Sequence, residues 1–283
     1  MITNTKEMLE KAKENKYAVP HFNINNLEWT RYILEECEEQ KTPVIIGVSE
    51  GALKYMGGYH TVVGIVKNLV YDLNITIPVA IHLDHGSSID VCKNCINAGF
   101  TSVMIDASKY DLETNIKMVK EVVEYAHLRN VTVEAEIGHV GGEEDGISAD
   151  IAYANIDDAI KLVKETGIDN LAPAVGSAHG IYKGIPKINY ELINTIKNRT
   201  ELPLVLHGGS GIPDDIIKES IKNGICKLNI NTDLQIVWSK EVRKFLQDNE
   251  TVYDPRKIIK IGETAMKKVI KEKIELLGSN NRA

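Results

Sequence analysis

Three histidines, each followed by glycine at the end of an apolar run, are the residues best placed to do chemistry: His85 in "LDHG", His179 in "SAHG" and His207 in "LHGG". Three imidazoles gathered at one point leave a tetrahedral position open, as a catalytic zinc requires, although any one of them alone would more simply be a satisfied loop or core residue. Asp84 adjoins His85. Successive strand side chains point to opposite faces, so both can face one pocket only where the strand ends, and "HGSS" supplies that ending. A carboxylate there can exchange a proton with a substrate held at the metal, or in the plainer reading hold a neighbouring imidazole or amide. His82 shares the parity of Asp84 and reads as a buried supporting residue, not a fourth ligand. Asp106 in "MIDAS" and Glu136 in "EAEIG" are acids within apolar runs, which a metal or a strand-end cation should satisfy.

Glycine-rich pieces suggest what the substrate carries. "HGGSG" (207–211) and "NINTD" (229–233) offer backbone N–H groups with Ser210 and Thr232 as hydroxyl donors, while "HGIYKG" (179–184) adds Lys183. Two such pieces at neighbouring strand ends suit phosphate, although turns need glycine too. "GHVGGEEDGISAD" (138–150) flanks Glu143, Glu144 and Asp145 with glycines, which predicts either a mobile loop that delivers a carboxylate or a solvated acidic loop.

The elements that must position these residues are legible as alternation. β-rich runs at 17–24, 43–49, 78–85, 101–108, 131–138, 169–176, 202–209 and 225–232 are separated by amphipathic segments with apolar residues three and four apart. Eight strands alternating with helices imply a parallel sheet, and in a chain of 283 residues a closed (β/α)₈ TIM barrel of class α/β, with a doubly wound open sheet as the alternative. A barrel gathers its strand ends on one face. Asn23, Ser49, Asp84, His85, Asp106, Glu136, His179, His207 and Asn229 all fall at such ends. The segment 254–278 reads as an extra C-terminal helix packed outside, and residues 1–283 as a single domain.

A formal net charge of −7 disfavours nucleic acid and anionic membrane, so a phosphorylated ligand must be held by local donors. The N-terminus has a helical pattern without signal-peptide character, no run approaches transmembrane length, and the four cysteines include one CxxC (Cys92, Cys95) with no second pair. The expectation is a cytoplasmic protein in which these cysteines are ordinary helix residues.

Taken together, "HLDHG", "EAEIGHVGGEEDG", "VGSAHGIYKG", "LHGGSGI", "KLNINTD" and "YDPRK" resemble, in order and nearly end to end, the class II metal-dependent ketose-bisphosphate aldolases. The resemblance implies Zn²⁺ on His85, His179 and His207, with Asp106 and Glu136 at an alternative or second metal location, and it admits a monovalent cation. It implies that Asp84 handles the C4 hydroxyl proton, that Glu144 is the loop carboxylate for proton transfer, and that Asn229 contacts the enediolate. Substrate contacts are implied for Asn23, Gly180, Lys183, Gly208, Gly209, Ser210, Ile230, Asn231 and Thr232, the last group around the first phosphate. Asn231 stands where fructose-bisphosphate enzymes frequently carry aspartate. Ser49 and Arg256 are implied at the second phosphate, the arginine arriving from a neighbouring subunit of a homodimer or homotetramer.

The implied reaction is aldol cleavage of fructose 1,6-bisphosphate to dihydroxyacetone phosphate and glyceraldehyde 3-phosphate, with tagatose 1,6-bisphosphate or a related phosphoketose as the alternative. A Schiff-base aldolase is a rival, but Lys109 and Lys183 fall in loops and Lys227 at the start of strand eight, so none reads as a buried nucleophile. A zinc-dependent barrel hydrolase and a sugar-phosphate binding protein are rivals of different classes.

Overall fold

The computed structural model describes residues 1–144, 147–149, 152–182 and 184–283, with the side chains of 143–150 outside that description. In chain order the strands are β1 (Val19–Asn23), β2 (Val44–Val48), β3 (Val79–Gly86), β4 (Ser102–Ile105), β5 (Thr132–Ile137), β6 (Gly141–Glu144), β7 (Ile147–Ala149), β8 (Asn170–Pro173), β9 (Ala178–His179), β10 (Leu204–Leu206) and β11 (Ile225–Ile230). The helices are α1 (Lys6–Asn15), α2 (Leu27–Glu39), α3 (Glu50–Tyr55), α4 (Tyr59–Asp72), α5 (Ile89–Ala98), α6 (Leu112–His127), α7 (Ile156–Thr166), α8 (Tyr190–Thr200), α9 (Asp214–Asn223), α10 (Thr232–Asp248), α11 (Pro255–Lys260) and α12 (Glu263–Leu277).

Eight of these strands close in the order β1-β11-β10-β8-β5-β4-β3-β2, and their pairings are parallel. This is the expected (β/α)₈ barrel. Alternation along each strand divides its side chains: Ile81, Leu83, Val103, Val133, Ala135, Leu171, Leu206, Leu228 and Ile230 join the helices in a continuous apolar shell. The opposite parity turns His21, His82, Asp84, Glu134, Glu136, Lys227 and Asn229 into the lumen, all buried.

Helix starts follow side-chain capping. Asn26, Ser49, Ser88, Asp111, Asn155, Asn189 and Asp254 each accept a backbone N–H from the first turn of the helix that follows. α1 closes the end of the barrel opposite the predicted site, where Met8, Leu9 and Ala12 pack with Val19, Ile45, Ala80 and Cys226.

Two regions differ from expectation. The 138–150 segment contributes a β6–β7 hairpin, and Gly141 and Gly142 of β6 pair in parallel with Ala178 and His179 of β9. The C-terminal segment is two helices. A Cβ at Gly262 would lie 2.0 Å from the Trp238 ring, so the break between α11 and α12 stands where α10 crosses close by. α12 buries Met266, Ile270, Ile274 and Leu277 and packs against α2, α9, α10 and β1, taking the place in the outer ring that α10 leaves. No helix among the described residues is long and apolar enough to cross a membrane.

Candidate active site

β3 continues to Gly86, beyond the ending that "HGSS" predicts, and it brings Asp84 and His85 to the same side by a bulge. Leu83 pairs with Val103 and Gly86 with Ile105, so β3 holds one residue more than β4 over that interval. His85 sits at φ 51°, in the left-handed region that costs a non-glycine residue on the order of 1 kcal/mol or more. Gly86 has no room for a side chain, since a Cβ would meet Met104 O at 2.6 Å. The broken alternation is thus how adjacent residues share a pocket.

His85, His179 and His207 converge as expected. Their rings pack edge to face with centroids 4.6 to 5.9 Å apart, and one nitrogen from each lies within 4.8 Å of the others. His85 Nε2 and His207 Nδ1 are 2.8 Å apart. Two neutral lone pairs at that distance repel unless a proton or cation lies between them. Burial, reinforced by the neighbouring imidazoles, holds His179 well below the usual histidine range. Burial likewise lowers His207 against the opposing pull of its bond to Glu134. Imidazole nitrogens converging on one point are the donor set of a divalent cation such as zinc, so these residues fit that metal.

Asp106 and Glu136 close a second cluster with His85. Asp106 Oδ2 lies 2.9 Å from His85 Nδ1, and its Oδ1 accepts from the Ser108 N–H and hydroxyl, which together hold its carboxyl well below the usual carboxylate range although burial opposes them. Glu136 is pushed up to about 8 by burial and then by the charge of Asp106. Its Oε1 accepts from Val140 N–H, and its buried Oε2 has no partner among the described residues.

Asp84 lies at the centre of the floor. Asn23 Nδ2 donates to its Oδ2 at 2.8 Å and Asn229 Nδ2 to its Oδ1 at 3.2 Å. Burial would raise its pKa, but His21, His85, His207 and Lys227 override that and hold it well below the usual range. An ionised, hydrogen-bonded carboxylate beside the histidines is positioned as a base. His21, which the sequence analysis did not single out, has Nε2 3.5 Å from Asp84 Oδ2 and fills the space left by Gly47, where a Cβ would lie 1.6 Å from that nitrogen. Its place two residues before Asn23 on one strand face was the available signal.

Below the histidines lies a polar layer centred on Glu134, which the sequence analysis did not single out. Glu134 Oε1 is 2.9 Å from His207 Nε2, while its Oε2 accepts from Lys227 Nζ at 2.7 Å and from Asn170 Nδ2. Contrary to expectation Lys227 is fully buried. Its amine is committed to Glu134 and lies 3.4 Å from His82 Nε2, and it lines neither cavity of the site, which disfavours a Schiff-base role. His82 Nδ1 pairs with Ser102 Oγ, so both its nitrogens are engaged and it is the supporting residue expected.

Two cavities meet at Asp84 and His179. The narrower, about 130 Å³, is lined by Asn23, Gly180, Gly208, Ser210, Asn229, Asn231, Thr232 and Gln235 at the N-terminus of α10. Ser210 Oγ accepts from the backbone N–H groups of Asn231 and Asp233, and Gly208 adopts φ 67° where a Cβ would strike Ala178 O. Tyr182, also missed, accepts from Ala178 N–H and donates to Gly208 O, tying the two glycine-rich pieces together. The wider cavity, about 460 Å³, is lined by Ser49, Glu50, His85, Asp106, Ser108, Lys109, Glu136, His139 and Gly142.

Three of the residues expected at the substrate line neither cavity of this chain. Ile230 packs its side chain into the apolar shell, and the Gly209 N–H is committed to Asn229 O. Arg256 is exposed, pairs with Asp254, and lines neither cavity. Lys183 lies outside the described residues, as does the side chain of Glu144. Cys92 and Cys95 are free and buried in the shell, as expected of helix residues.

A family model described as "Fructose-bisphosphate aldolase class-II" matches residues 3–282. A fructose-bisphosphate aldolase of Geobacillus stearothermophilus is 54% identical over 283 residues, covering 100% of this chain and 99% of the relative. One from Staphylococcus aureus (strain Mu50 / ATCC 700699) has the same identity and coverage. The crystal structure of the YdjI aldolase from Escherichia coli K12 superposes with a TM-score of 0.86 at 32% identity, covering 100% of both chains.

Proposed function

Because the chain belongs to the class II fructose-bisphosphate aldolase family, a family of lyases, we propose that this cleft cleaves fructose 1,6-bisphosphate between C3 and C4. The products are dihydroxyacetone phosphate and glyceraldehyde 3-phosphate, and the same residues run the condensation. The observation that carries the reading is the junction of two cavities at Asp84, directly beside three converging imidazoles. The whole chain acts as one aldolase domain.

In this reading His85, His179 and His207 hold zinc, and Asp106 and Glu136 offer it an alternative position. Zinc so bound would supply Lewis-acid stabilisation of the electron density left on the three-carbon fragment. Asp84 Oδ accepts the C4 hydroxyl proton as the aldehyde departs, with Asn23 and Asn229 fixing its orientation. Asn229 also faces the three-carbon fragment, and Glu144 returns a proton to it. The narrow cavity takes the first phosphate on Gly180, Gly208, Ser210, Asn231 and Thr232, aided by Lys183 and by the dipole of α10. The wide cavity takes the remaining carbons, with Ser49 at the second phosphate.

Arg256 reaches that second phosphate in a neighbouring copy of a homodimer or homotetramer, which its exposure and the exposed Ile236 and Tyr253 support. Guanidinium suits the task because its fork donates paired bonds to phosphate. The enzyme works in the cytoplasm, and a monovalent cation accompanies the phosphate.

Chelation tests the reading. Removal of zinc with verified metal loss should abolish triose phosphate release from fructose 1,6-bisphosphate, and added Zn²⁺ should restore it. Full activity in the stripped protein overturns the metal role. A kcat/KM for tagatose 1,6-bisphosphate above that for the fructose ester overturns the substrate assignment.

A further inference from the structure

The buried charges beneath the histidines line neither cavity of the site. Glu134 and Lys227 are both fully buried in the lumen, a layer that barrels ordinarily fill with branched apolar side chains. An ion pair there is a poor route to stability, since desolvating two charges consumes most or all of their attraction and apolar replacements are often neutral. Its use must lie in something an apolar layer cannot do. The contacts show a division of labour: Oε2 of Glu134 takes both anchoring donors, Lys227 Nζ and Asn170 Nδ2, and leaves Oε1 for His207 Nε2.

A carboxylate fixed by a cation only accepts, so the imidazole nitrogen facing it must carry the hydrogen. In a neutral ring the other nitrogen, Nδ1, then bears the lone pair, and Nδ1 is the atom that lies 2.8 Å from His85 Nε2 at the point of convergence. Resting on the zinc reading above, we propose that the Glu134–Lys227 pair is a positioning device that locks His207 as the Nε2–H tautomer and so presents Nδ1 to the metal. Asp106 stands in the corresponding relation to His85, but with the opposite ring atoms: its Oδ2 faces Nδ1 and Nε2 is left inward. The two ligands are therefore held in opposite tautomers, each set by the carboxylate behind it.

Two double variants separate positioning from packing. Glu134→Leu with Lys227→Met removes both charges and leaves no unpaired ion, but it also removes the acceptor for Nε2–H. Glu134→Gln with Lys227→Met removes the same charges and retains a carbonyl acceptor. Zinc affinity is measured for each protein by competition with a chromophoric chelator, with folding followed by circular dichroism and thermal melting. The Leu/Met protein should bind zinc roughly 10- to 100-fold more weakly, and the Gln/Met protein should recover most of that loss. Equal, wild-type affinity in both folded doubles overturns the proposal and leaves the zinc reading intact, whereas a wild-type chain that binds no zinc sinks that reading itself.

Should the Leu/Met protein fail to fold, histidine ¹⁵N spectra of the zinc-loaded wild-type protein decide the matter. They should show His207 protonated at Nε2 and coordinated through Nδ1; the reverse assignment overturns the proposal.

Discussion

The two faces of the same barrel strands obey opposite rules. Along β5, Thr132, Glu134 and Glu136 turn inward while Val133, Ala135 and Ile137 turn outward, and along β3 the inward His82 and Asp84 alternate with Ile81 and Leu83. Outside, burial is non-directional: any side chain that fills the volume and excludes water contributes stability. Inside, polar groups such as Asp84 and Glu134 are held by specific partners at definite distances, and the same degree of burial magnifies the cost of leaving a partner behind. One period-two pattern therefore writes stability on one face and chemistry on the other, and substitutions on the two faces should fail in different assays.

The largest effect should come from the inner face. Asp84→Asn keeps the size of the side chain but removes the base and disturbs its bonds to Asn23 and Asn229. General acid–base groups contribute roughly 10²- to 10⁴-fold, so kcat for fructose 1,6-bisphosphate cleavage should drop by about 10³ while zinc stays bound. A variant within tenfold of wild type would remove Asp84 from its proposed part. Its Tm should move far less than its rate, because the loss belongs to the reaction and not to the fold.

The outer face should show the converse. Ile81 is fully buried in the shell one residue from the lumen-facing His82. Ile81→Ala leaves a cavity that rigid neighbours fill only in part, at a cost of about 2–5 kcal/mol in unfolding free energy measured in urea. Activity per folded molecule should stay close to wild type. A large fall in kcat with unchanged stability would erase the distinction between the faces.

How far the sequence reveals this division follows from the range over which each feature is specified. The eight barrel strands, the three histidines and Asp84 are legible because a short run carries its own period and its own end signal. Glu134 and His21 pass unnoticed, and Lys227 is named only as a poor nucleophile, because their importance lies in contacts far along the chain, such as Glu134 with His207 73 positions away and Lys227 with Glu134 93 positions away. Parity alone could have flagged Glu134, which shares the face of Glu136. The β6–β7 hairpin is hidden for another reason: Gly141 and Gly142 carry little strand propensity, and what they supply is close approach, since a Cβ at Gly142 would lie 2.2 Å from His179 O. The bulge at His85 is likewise invisible in a run that reads as an ordinary strand end. The division of the C-terminal helix at Gly262 depends on Trp238, which only the folded chain brings near.

The smallest effect concerns a charge on the outer side of the molecule, where carboxylates brace structure without touching chemistry. Glu38, near the end of α2, accepts from Thr76 N–H at 2.7 Å, Ile77 N–H at 3.2 Å and Thr76 Oγ1 at 2.8 Å, and pairs with Lys41. Its modest burial would raise its pKa, but these bonds prevail and lower it to about 2 from an ordinary 4.5. The folded chain thus holds this proton less tightly than the unfolded chain. The stabilisation is complete above pH 4.5 and is lost as the pH falls towards 2. Partial exposure to water screens the ion pair, so the hydrogen bonds set the size of the effect. Glu38→Gln should cost about 1 kcal/mol in urea unfolding at neutral pH. That gap should close as acid protonates the wild-type carboxyl, with kcat unchanged throughout. A gap that stays constant from neutral pH to acid would show that shape, not charge, holds this corner. A change in kcat would show that the outer charges reach the lumen after all.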